Sequence, residues 1–267
     1  YLLSNEIDAM LVLGIAGELE RHVIPGLVPQ LLTAHDGDRV VAVALRTPPY
    51  PLIVHGDGEA ALGAVAEAMV EIEPALPGVT GHVACAETFA RLWPNAVPER
   101  RMHMRFRLLR TVTPPPRPAP GELRRARPDE APRLCDWVAS FTADTGMAME
   151  DETRELREHR IGARIAAGDV YVWQHGDEVV SLNSVAGKTT SGIRINMVYT
   201  PPAQRGHGYA SASVAALAQR MLDGDAEHGR NSFVCLYADA DAPAVNRIYA
   251  RVGFEHVYDS VQIRFAR

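Results

Sequence analysis

Residues 198–210 read V-Y-T-P-P-A-Q-R-G-H-G-Y-A, which predicts the end of a strand, a tight turn and the start of a helix. The strand ends at the two prolines, and the turn R-G-H-G follows at 205–208. The first N–H groups of a helix have no internal acceptor and lie at the positive end of the helix dipole. Because glycines carry no Cβ, a diphosphate can approach such a turn closely. The stretch therefore predicts a phosphorylated ligand held by main-chain atoms.

Three kinds of phosphate-binding loop were compared with this turn. Gly206, Gly208 and Ser211 resemble a broken dinucleotide fingerprint. That fingerprint should open a βαβ unit near the start of a domain, whereas several elements precede this one. No G-x-x-x-x-G-K-[ST] occurs, which excludes a nucleoside-triphosphate P-loop. An acyl-CoA-binding loop is the third kind. An oxidoreductase that binds a dinucleotide stays an open alternative to a protein that binds acyl-CoA.

The composition is that of a globular chain. It has 267 residues, 47% of them hydrophobic and 22% charged, and its net charge of −6 argues against a nucleic-acid binder with a basic face. No apolar run reaches the ~18 residues of a membrane-spanning helix. The three cysteines form no C-x-x-C, so we expect reduced thiols in a cytoplasmic protein. The histidines show no metal-ligand spacing, so no metal site is expected.

A proline-rich stretch divides the chain. Residues 113–121 read T-P-P-P-R-P-A-P-G and predict a semi-rigid linker, because five prolines in nine residues favour extended geometry. We therefore expect an N-terminal lobe over 1–112 and a larger domain over 122–267.

Periodicity and breaker residues predict the elements of both parts. In the first lobe, helices are expected over 4–21 and 60–72, with a further helix after the third strand, and strands over 40–45, 52–55, 79–84 and 102–109. In the second, helices are expected over 130–141, 151–167 and 207–222, with one more that Asp241 caps and Gly253 ends, and strands over 123–127, 170–174, 179–185, 193–199, 233–237 and 256–264. The last segment reads as one bent strand or a pair.

Two motifs in residues 123–265 resemble the GNAT superfamily of acyl-CoA N-acetyltransferases. The acetyl-CoA loop of that family, R/Q-x-x-G-x-G/A after the fourth strand, is matched by Arg205, Gly208 and Ala210. About 36 residues later, the family's Asn, Tyr and Gly-Phe are matched by Asn246, Tyr249, Gly253 and Phe254. The resemblance implies an α/β (α+β) fold with a mixed, mostly antiparallel sheet flanked by helices.

The resemblance also implies a role for each matched position. Tyr249 would protonate the leaving CoA thiolate, because a phenol at its reference pKa of ~10 stays protonated. Asn246 would contact the pantetheine arm or help to fix the helix that follows. Main-chain groups of Met197, Val198 and Tyr199 would pair with that arm like an added strand. The pyrophosphate would lie on the loop that contains Arg205, Gly206, His207, Gly208, Tyr209 and Ala210.

The general base cannot be assigned from the sequence. Many relatives place a Glu on the fourth strand, where this chain has Ile195-Asn196-Met197. A water held by Asn196 and Ser184 could serve instead, and the carboxylates considered as alternatives are Glu150, Asp151 and Asp239.

The first lobe resembles a degenerate GNAT-like half, as in tandem members of the superfamily. Gly56-Asp57-Gly58-Glu59 places acidic side chains where a diphosphate would lie, so we expect this lobe to shape the acceptor pocket without binding CoA.

The expected activity is transfer of an acetyl group from acetyl-CoA to a primary amine of a small molecule, by direct attack in a ternary complex. A non-catalytic acyl-CoA sensor is the alternative. Neither nucleic acid nor a membrane is expected as a partner, and a homodimer through an exposed strand edge stays open.

Overall fold

The computed structural model describes residues 1–21, 26–94, 96–115, 119–147 and 153–266. The helices within these ranges are α1 (Met10–Arg21), α2 (Glu59–Ile72), α3 (Val83–Leu92), α4 (Ala131–Asp144), α5 (Arg154–Ala166), α6 (Tyr209–Asp223) and α7 (Pro243–Val252). The strands are β1 (Gln30–Asp36), β2 (Arg39–Arg46), β3 (Leu52–Gly56), β4 (Gly78–His82), β5 (Pro98–Leu109), β6 (Glu122–Arg125), β7 (Val170–His175), β8 (Glu178–Ala186), β9 (Gly192–Tyr199), β10 (Phe233–Asp239) and β11 (Glu255–Phe265). Mixed, mostly antiparallel pairing with flanking helices confirms the expected fold class. None of the described helices has both the length and the apolar character to cross a bilayer.

The chain folds into two compact units. Unit 1 contains 1–106, 237–242 and 256–267, and unit 2 contains 107–236 and 243–255. Unit 1 thus takes in two pieces of the C-terminal segment that the sequence assigned entirely to the second domain. The physical reason lies in β11, which pairs antiparallel with β4 from Ser260 opposite His82 to Arg264 opposite Gly78. The proline-rich boundary at 113–121 stays a prediction.

Unit 1 surrounds its strands with helices on both faces. β1, β2 and β3 pair antiparallel in sequence, β3 and β4 pair parallel, and β11 follows β4. Apolar side chains of α2 and α3, among them Leu62, Met69 and Phe89, form the larger core with one face of these strands. Val12 of α1 packs with Val43 and Ile53 on the other face.

Unit 2 also has helices on both faces of its strands, and it contains the predicted site residues. β6, β7, β8 and β9 pair antiparallel in that order, and β9 and β10 pair parallel. α4 and α5 cover one face through Leu134, Ile161 and Ile165, among others. α6 covers the other face, where Tyr209 and Ala212 pack on strand residues. The parallel strands enclose α6 in sequence, as β3 and β4 enclose α2 in unit 1.

Several elements differ from their sequence-based prediction. β1 was missed because it is an edge strand with mostly polar or exposed side chains, and Leu31 on it is 64% exposed. α1 begins at Met10 rather than at residue 4, after a 3₁₀ turn over Leu3–Asn5. α5 begins at Arg154 rather than at residue 151, because Thr153 caps it with a hydroxyl that accepts a hydrogen bond from the Leu156 N–H. The C-terminal segment forms the single strand β11.

Candidate functional site

The turn before α6 has the backbone conformation that glycine favours. Gly206 has φ +84° and Gly208 has φ +81°, in the region that side chains disfavour. A Cβ on Gly206 would meet no atom within 4 Å, and one on Gly208 would lie 3.7 Å from the Ala119 Cβ. The backbone conformation therefore favours glycine at both positions, and the described residues leave open space beside Gly206.

The start of α6 presents unpaired main-chain donors to that open space. The helical ladder begins with the Ala212 N–H donating to the Gly208 carbonyl at 3.0 Å. The N–H groups of Tyr209, Ala210 and Ser211 precede that bond and have no acceptor within the helix. The first turn of α6 contains no acidic residue and Gly208 provides no side-chain cap, so no side chain of this turn accepts its N–H groups in place of an anion.

The Arg205 side chain braces the turn from outside. Its Nε donates to the Thr200 carbonyl at 2.9 Å, and its Nη2 donates to Oδ2 of Asp144 at 3.0 Å. The guanidinium also lies over the Tyr199 ring, 5.8 Å from its centroid. The guanidinium is about half exposed, so a phosphate contact by Arg205 stays a prediction beside this bracing role.

β9 is interrupted by a bulge at the predicted main-chain positions. Leu182 of β8 lies opposite Tyr199 and Ser184 lies opposite Asn196, so Asn183 faces both Met197 and Val198. Met197 has φ +49°, a conformation uncommon for a residue with a side chain. Bulges redirect main-chain groups away from the ladder, and they are frequent next to active sites.

β9 also separates from β10 at this point. Their parallel pairing covers Phe233 opposite Gly192, Val234 opposite Ile193 and Cys235 opposite Arg194, and it ends there. β9 continues for five more residues to Tyr199. No described residue of β10 is in register with this continuation, so its main-chain groups have no ladder partner in β10.

Neutral side chains occupy the strand position where a carboxylate base was considered. Ser184 donates a hydrogen bond to Oδ1 of Asn196, and Asn196 is half-buried. Of the alternative carboxylates, Asp239 ends β10 and belongs to unit 1. Glu150 and Asp151 lie outside the described residues. The general base therefore stays unassigned.

The two motif residues of α7 are both buried but have different surroundings. Burial raises the pKa of Tyr249 to about 12, and its ring meets Phe254 edge to face at 6.0 Å. Asn246 instead accepts a hydrogen bond from Nε of the buried Arg107 at 3.2 Å. Arg107 also donates to the Phe254 carbonyl at 3.2 Å, which ties α7 and the residues after it to β5. This arrangement supports the helix-fixing role for Asn246, whereas a pantetheine contact stays a prediction.

Sequence reasoning missed two contributors to this region. His175, at the end of β7, is hydrogen-bonded through Nδ1 to the Tyr209 hydroxyl at 2.8 Å. Arg107 lies 139 residues from its partner Asn246, and nothing in the local sequence pairs them. His175 has a weak sequence signal, since it opens the hairpin turn H-G-D. In the described part of the chain, no group of three or more His, Cys, Asp or Glu side chains could hold a metal ion.

Comparisons with known proteins gave matches among solved structures alone. No protein-family model matches the sequence, and no curated protein matches it. Among solved structures, a GCN5-related N-acetyltransferase from Kribbella flavida is 14% identical with a TM-score of 0.63, over 98% of this chain and 96% of that one. A GNAT-family acetyltransferase from Colwellia psychrerythraea is 10% identical with a TM-score of 0.58, over 99% of this chain and 96% of that one.

A third solved structure extends the likeness to a two-part relative. A tandem GNAT protein from the clavulanic acid biosynthesis pathway is 15% identical with a TM-score of 0.59, over 98% of this chain and 92% of that one. The chain has the GNAT fold. The likeness extends over both units, and in each of them a pair of parallel strands flanks one helix.

Within the GNAT fold, the predicted residues group on three neighbouring elements of unit 2. Met197, Val198 and Tyr199 form the bulged end of β9, and residues 205–210 follow directly in the turn and the start of α6. Asn246 and Tyr249 lie on α7, which packs against α6. The side chains of Tyr209 and Asn246 are buried. Ligand binding by the main chain of the loop stays a prediction.

Proposed function

We propose that this protein is an acetyl-CoA-dependent N-acetyltransferase that acts on a primary amine of a small molecule. The observation that carries the proposal is the end of β9–β10 pairing at Arg194 and Cys235, after which β9 continues to Tyr199 and the glycine turn of α6 follows. Main-chain groups without a β10 partner are thereby followed by a helix start that would bind an anion. Acetyl-CoA has a pantetheine arm joined to a diphosphate, so its chemical groups would follow the same order as the strand end and the helix start.

The described residues fit acetyl-CoA as a substrate. The N–H groups of Gly206–Ala210 would bind the pyrophosphate, because the first turn offers donors and carries no opposing carboxylate. Main-chain groups of Met197, Val198 and Tyr199 would bind the pantetheine arm as an added strand. Arg205 keeps the loop next to the end of β9 through its bond to the Thr200 carbonyl.

The reaction follows from aligning the two substrates. Bound acetyl-CoA supplies a thioester, and the amine nitrogen attacks its carbonyl so that a C–N bond forms and the C–S bond breaks. Tyr249 donates its phenolic proton to the departing thiolate sulfur, because a pKa of about 12 keeps the phenol protonated at neutral pH. The main chain at the bulge of β9 would stabilise charge on the carbonyl oxygen. The proton lost by the amine passes to water, and water then reprotonates the tyrosinate.

Asn196 on β9 and its partner Ser184 on β8 are neutral, so β9 offers no carboxylate at the position considered for the base. Ser184 and Asn196 can hold a water molecule, but neither side chain can take up a proton at neutral pH and so act as the general base. We therefore expect the acceptor to be an amine of low basicity, or an amine that reaches the site unprotonated.

Release of free CoA thiol, measured with a thiol reagent, tests the proposal. Purified protein is mixed with acetyl-CoA and a panel of amino acids, polyamines, aminoglycosides and arylamines, and each product is identified by its mass shift of one acetyl group. Amine-dependent CoA release supports the proposal.

A non-catalytic acyl-CoA sensor is the second candidate, and the neutral Ser184–Asn196 pair favours it. A sensor would bind CoA in calorimetry and release no thiol with any acceptor. A thermal shift with NAD but none with CoA would instead revive a dinucleotide enzyme.

A further inference from the structure

We infer that His175 is a positioning residue that sets the start of α6 for the cofactor diphosphate. The inference rests on the proposed function and deepens it, because it adds a residue outside the loop motif. Its basis is the hydrogen bond of 2.8 Å between Nδ1 of His175 and the hydroxyl of Tyr209.

Tyr209 links this bond to the anion-binding donors. It is the first residue of α6, and its N–H is the first of the donors that precede the helical ladder. A displacement of its side chain therefore moves the main chain that would meet the diphosphate. Positional errors of about 1 Å are enough to weaken such preorganised sites.

The Tyr209 ring is enclosed on several sides. It is buried in a cluster with Trp173, Val180 and Ala212, which belong to β7, β8 and α6. On its outer side the His207 ring stacks on it at 5.5 Å with an interplanar angle of 18°. Packing thus holds the ring in place, and the hydroxyl needs a polar partner, which His175 supplies.

The end of the proline-rich stretch completes this enclosure. Ala119 packs against the same cluster, and the Pro120 carbonyl accepts a hydrogen bond from Nε1 of Trp173 at 3.0 Å. Trp173 and His175 lie two residues apart on β7, so one strand end anchors both the proline-rich segment and the helix start. Trp173 makes the polar contact to Pro120, and His175 makes the polar contact to Tyr209.

Two variants test the role of the bond. His175→Ala removes the partner, and Tyr209→Phe removes the hydroxyl while keeping the packed ring. Because a single hydrogen bond contributes about 1 kcal/mol, each should raise the Kd for CoA and the KM for acetyl-CoA about three- to tenfold. The kcat at saturating acetyl-CoA should stay within about twofold, since the reacting groups are untouched. The double variant should be no worse than either single one.

Three further measurements separate positioning from mere folding. His175→Gln restores a hydrogen-bonding group and should recover most of the affinity. His256→Ala is the matched control, because His256 is an exposed histidine of unit 1 that pairs with Asp259 at 3.0 Å. It should leave Kd and KM unchanged. Thermal unfolding of each variant shows whether affinity is lost at a temperature where the protein remains folded.

The outcomes distinguish this inference from the proposed function. If the wild-type protein fails to bind CoA in calorimetry, both are overturned. If the wild-type protein binds CoA and releases thiol with an amine, and His175→Ala and Tyr209→Phe bind equally well or lose kcat without a change in KM, the positioning role is wrong and the proposed function stands.

Discussion

Arg194 on β9 and Cys235 on β10 form the last pair that these parallel strands hold in register. Beyond it, β9 continues through the bulge at Met197 to Tyr199, and the glycine turn of α6 follows. The end of the strand pairing and the glycine turn thus follow one another along the chain. This continuity is the physical basis for expecting one elongated ligand that occupies both.

The first prediction concerns Gly208. Substitution by valine places a branched side chain at φ +81° and over the turn, which strains the backbone and blocks the diphosphate. We expect the Kd for acetyl-CoA, measured by calorimetry, to rise by about 100-fold or more because main-chain contacts to the phosphates are lost.

Gly37→Val is the matched control for this variant. Gly37 has φ +59° in the turn between β1 and β2, with open space around its Cβ position. It carries similar backbone strain away from the turn of α6 and should leave affinity unchanged. Equal affinities of Gly208→Val and wild type would count against the assigned diphosphate site.

The second prediction concerns Tyr249. Replacement by phenylalanine keeps the buried ring and removes the acid, so kcat should fall by about 100-fold with little change in the Kd for acetyl-CoA. Steady-state thiol release and calorimetry give the two quantities.

Tyr171→Phe provides the comparison for Tyr249. Tyr171 is also buried, which raises its pKa to about 12, but its hydroxyl donates to Oδ2 of Asp225 at 3.0 Å. Loss of the Tyr171 hydroxyl should lower the melting temperature. It should leave kcat within about twofold of the wild-type value, since no reacting group is removed. A rate of Tyr249→Phe within twofold of wild type would remove the acid role.

The third prediction concerns the pH dependence of kcat. An exposed phenol loses its proton near pH 10, whereas burial raises the pKa of Tyr249 to about 12. The acid form therefore persists as pH rises, and with an amine that is already neutral, kcat should stay level from about pH 8 to about pH 10. A decline with an apparent pKa below 10 that disappears in Tyr249→Phe would contradict the burial effect.

The fourth prediction separates the two roles considered for Asn246. Asn246→Ala removes an acceptor from the buried Arg107 guanidinium and should lower the free energy of unfolding in urea by about 1.5–3 kcal/mol. Asn246→Asp keeps an acceptor oxygen and should retain most of the stability. Unchanged stability of Asn246→Ala together with a weaker Kd for CoA would favour the pantetheine contact.

The fifth prediction concerns the number of CoA sites. In unit 1, α2 begins after Gly56-Asp57-Gly58, and Glu59 in its first turn pairs with Arg91 through both carboxylate oxygens. Acidic side chains therefore occupy the place of an anion there. Calorimetry of the full chain should give one CoA per chain, and Gly208→Val should abolish it. A second, Gly208-independent site would overturn the expectation for unit 1.

The local sequence determined the turn of α6 and most of the regular elements. Glycine spacing, prolines and the start of an apolar helical pattern are local signals, because backbone conformation and helix termini depend on neighbouring residues. The GNAT fold could be predicted from the two motifs for the same reason. The edge strand β1 could not be predicted, since exposed edge strands lack the alternation of apolar and polar residues that half-buried strands show.

Tertiary structure alone decided the rest. The bulge at Met197 depends on which β8 residues it faces, and the end of β9–β10 pairing depends on register between segments about 40 residues apart. The Tyr209–His175 and Asn246–Arg107 bonds join residues 34 and 139 positions apart. The addition of β11 to unit 1 is equally non-local. Such pairings are selected by packing and register across the whole chain, and no local pattern encodes them.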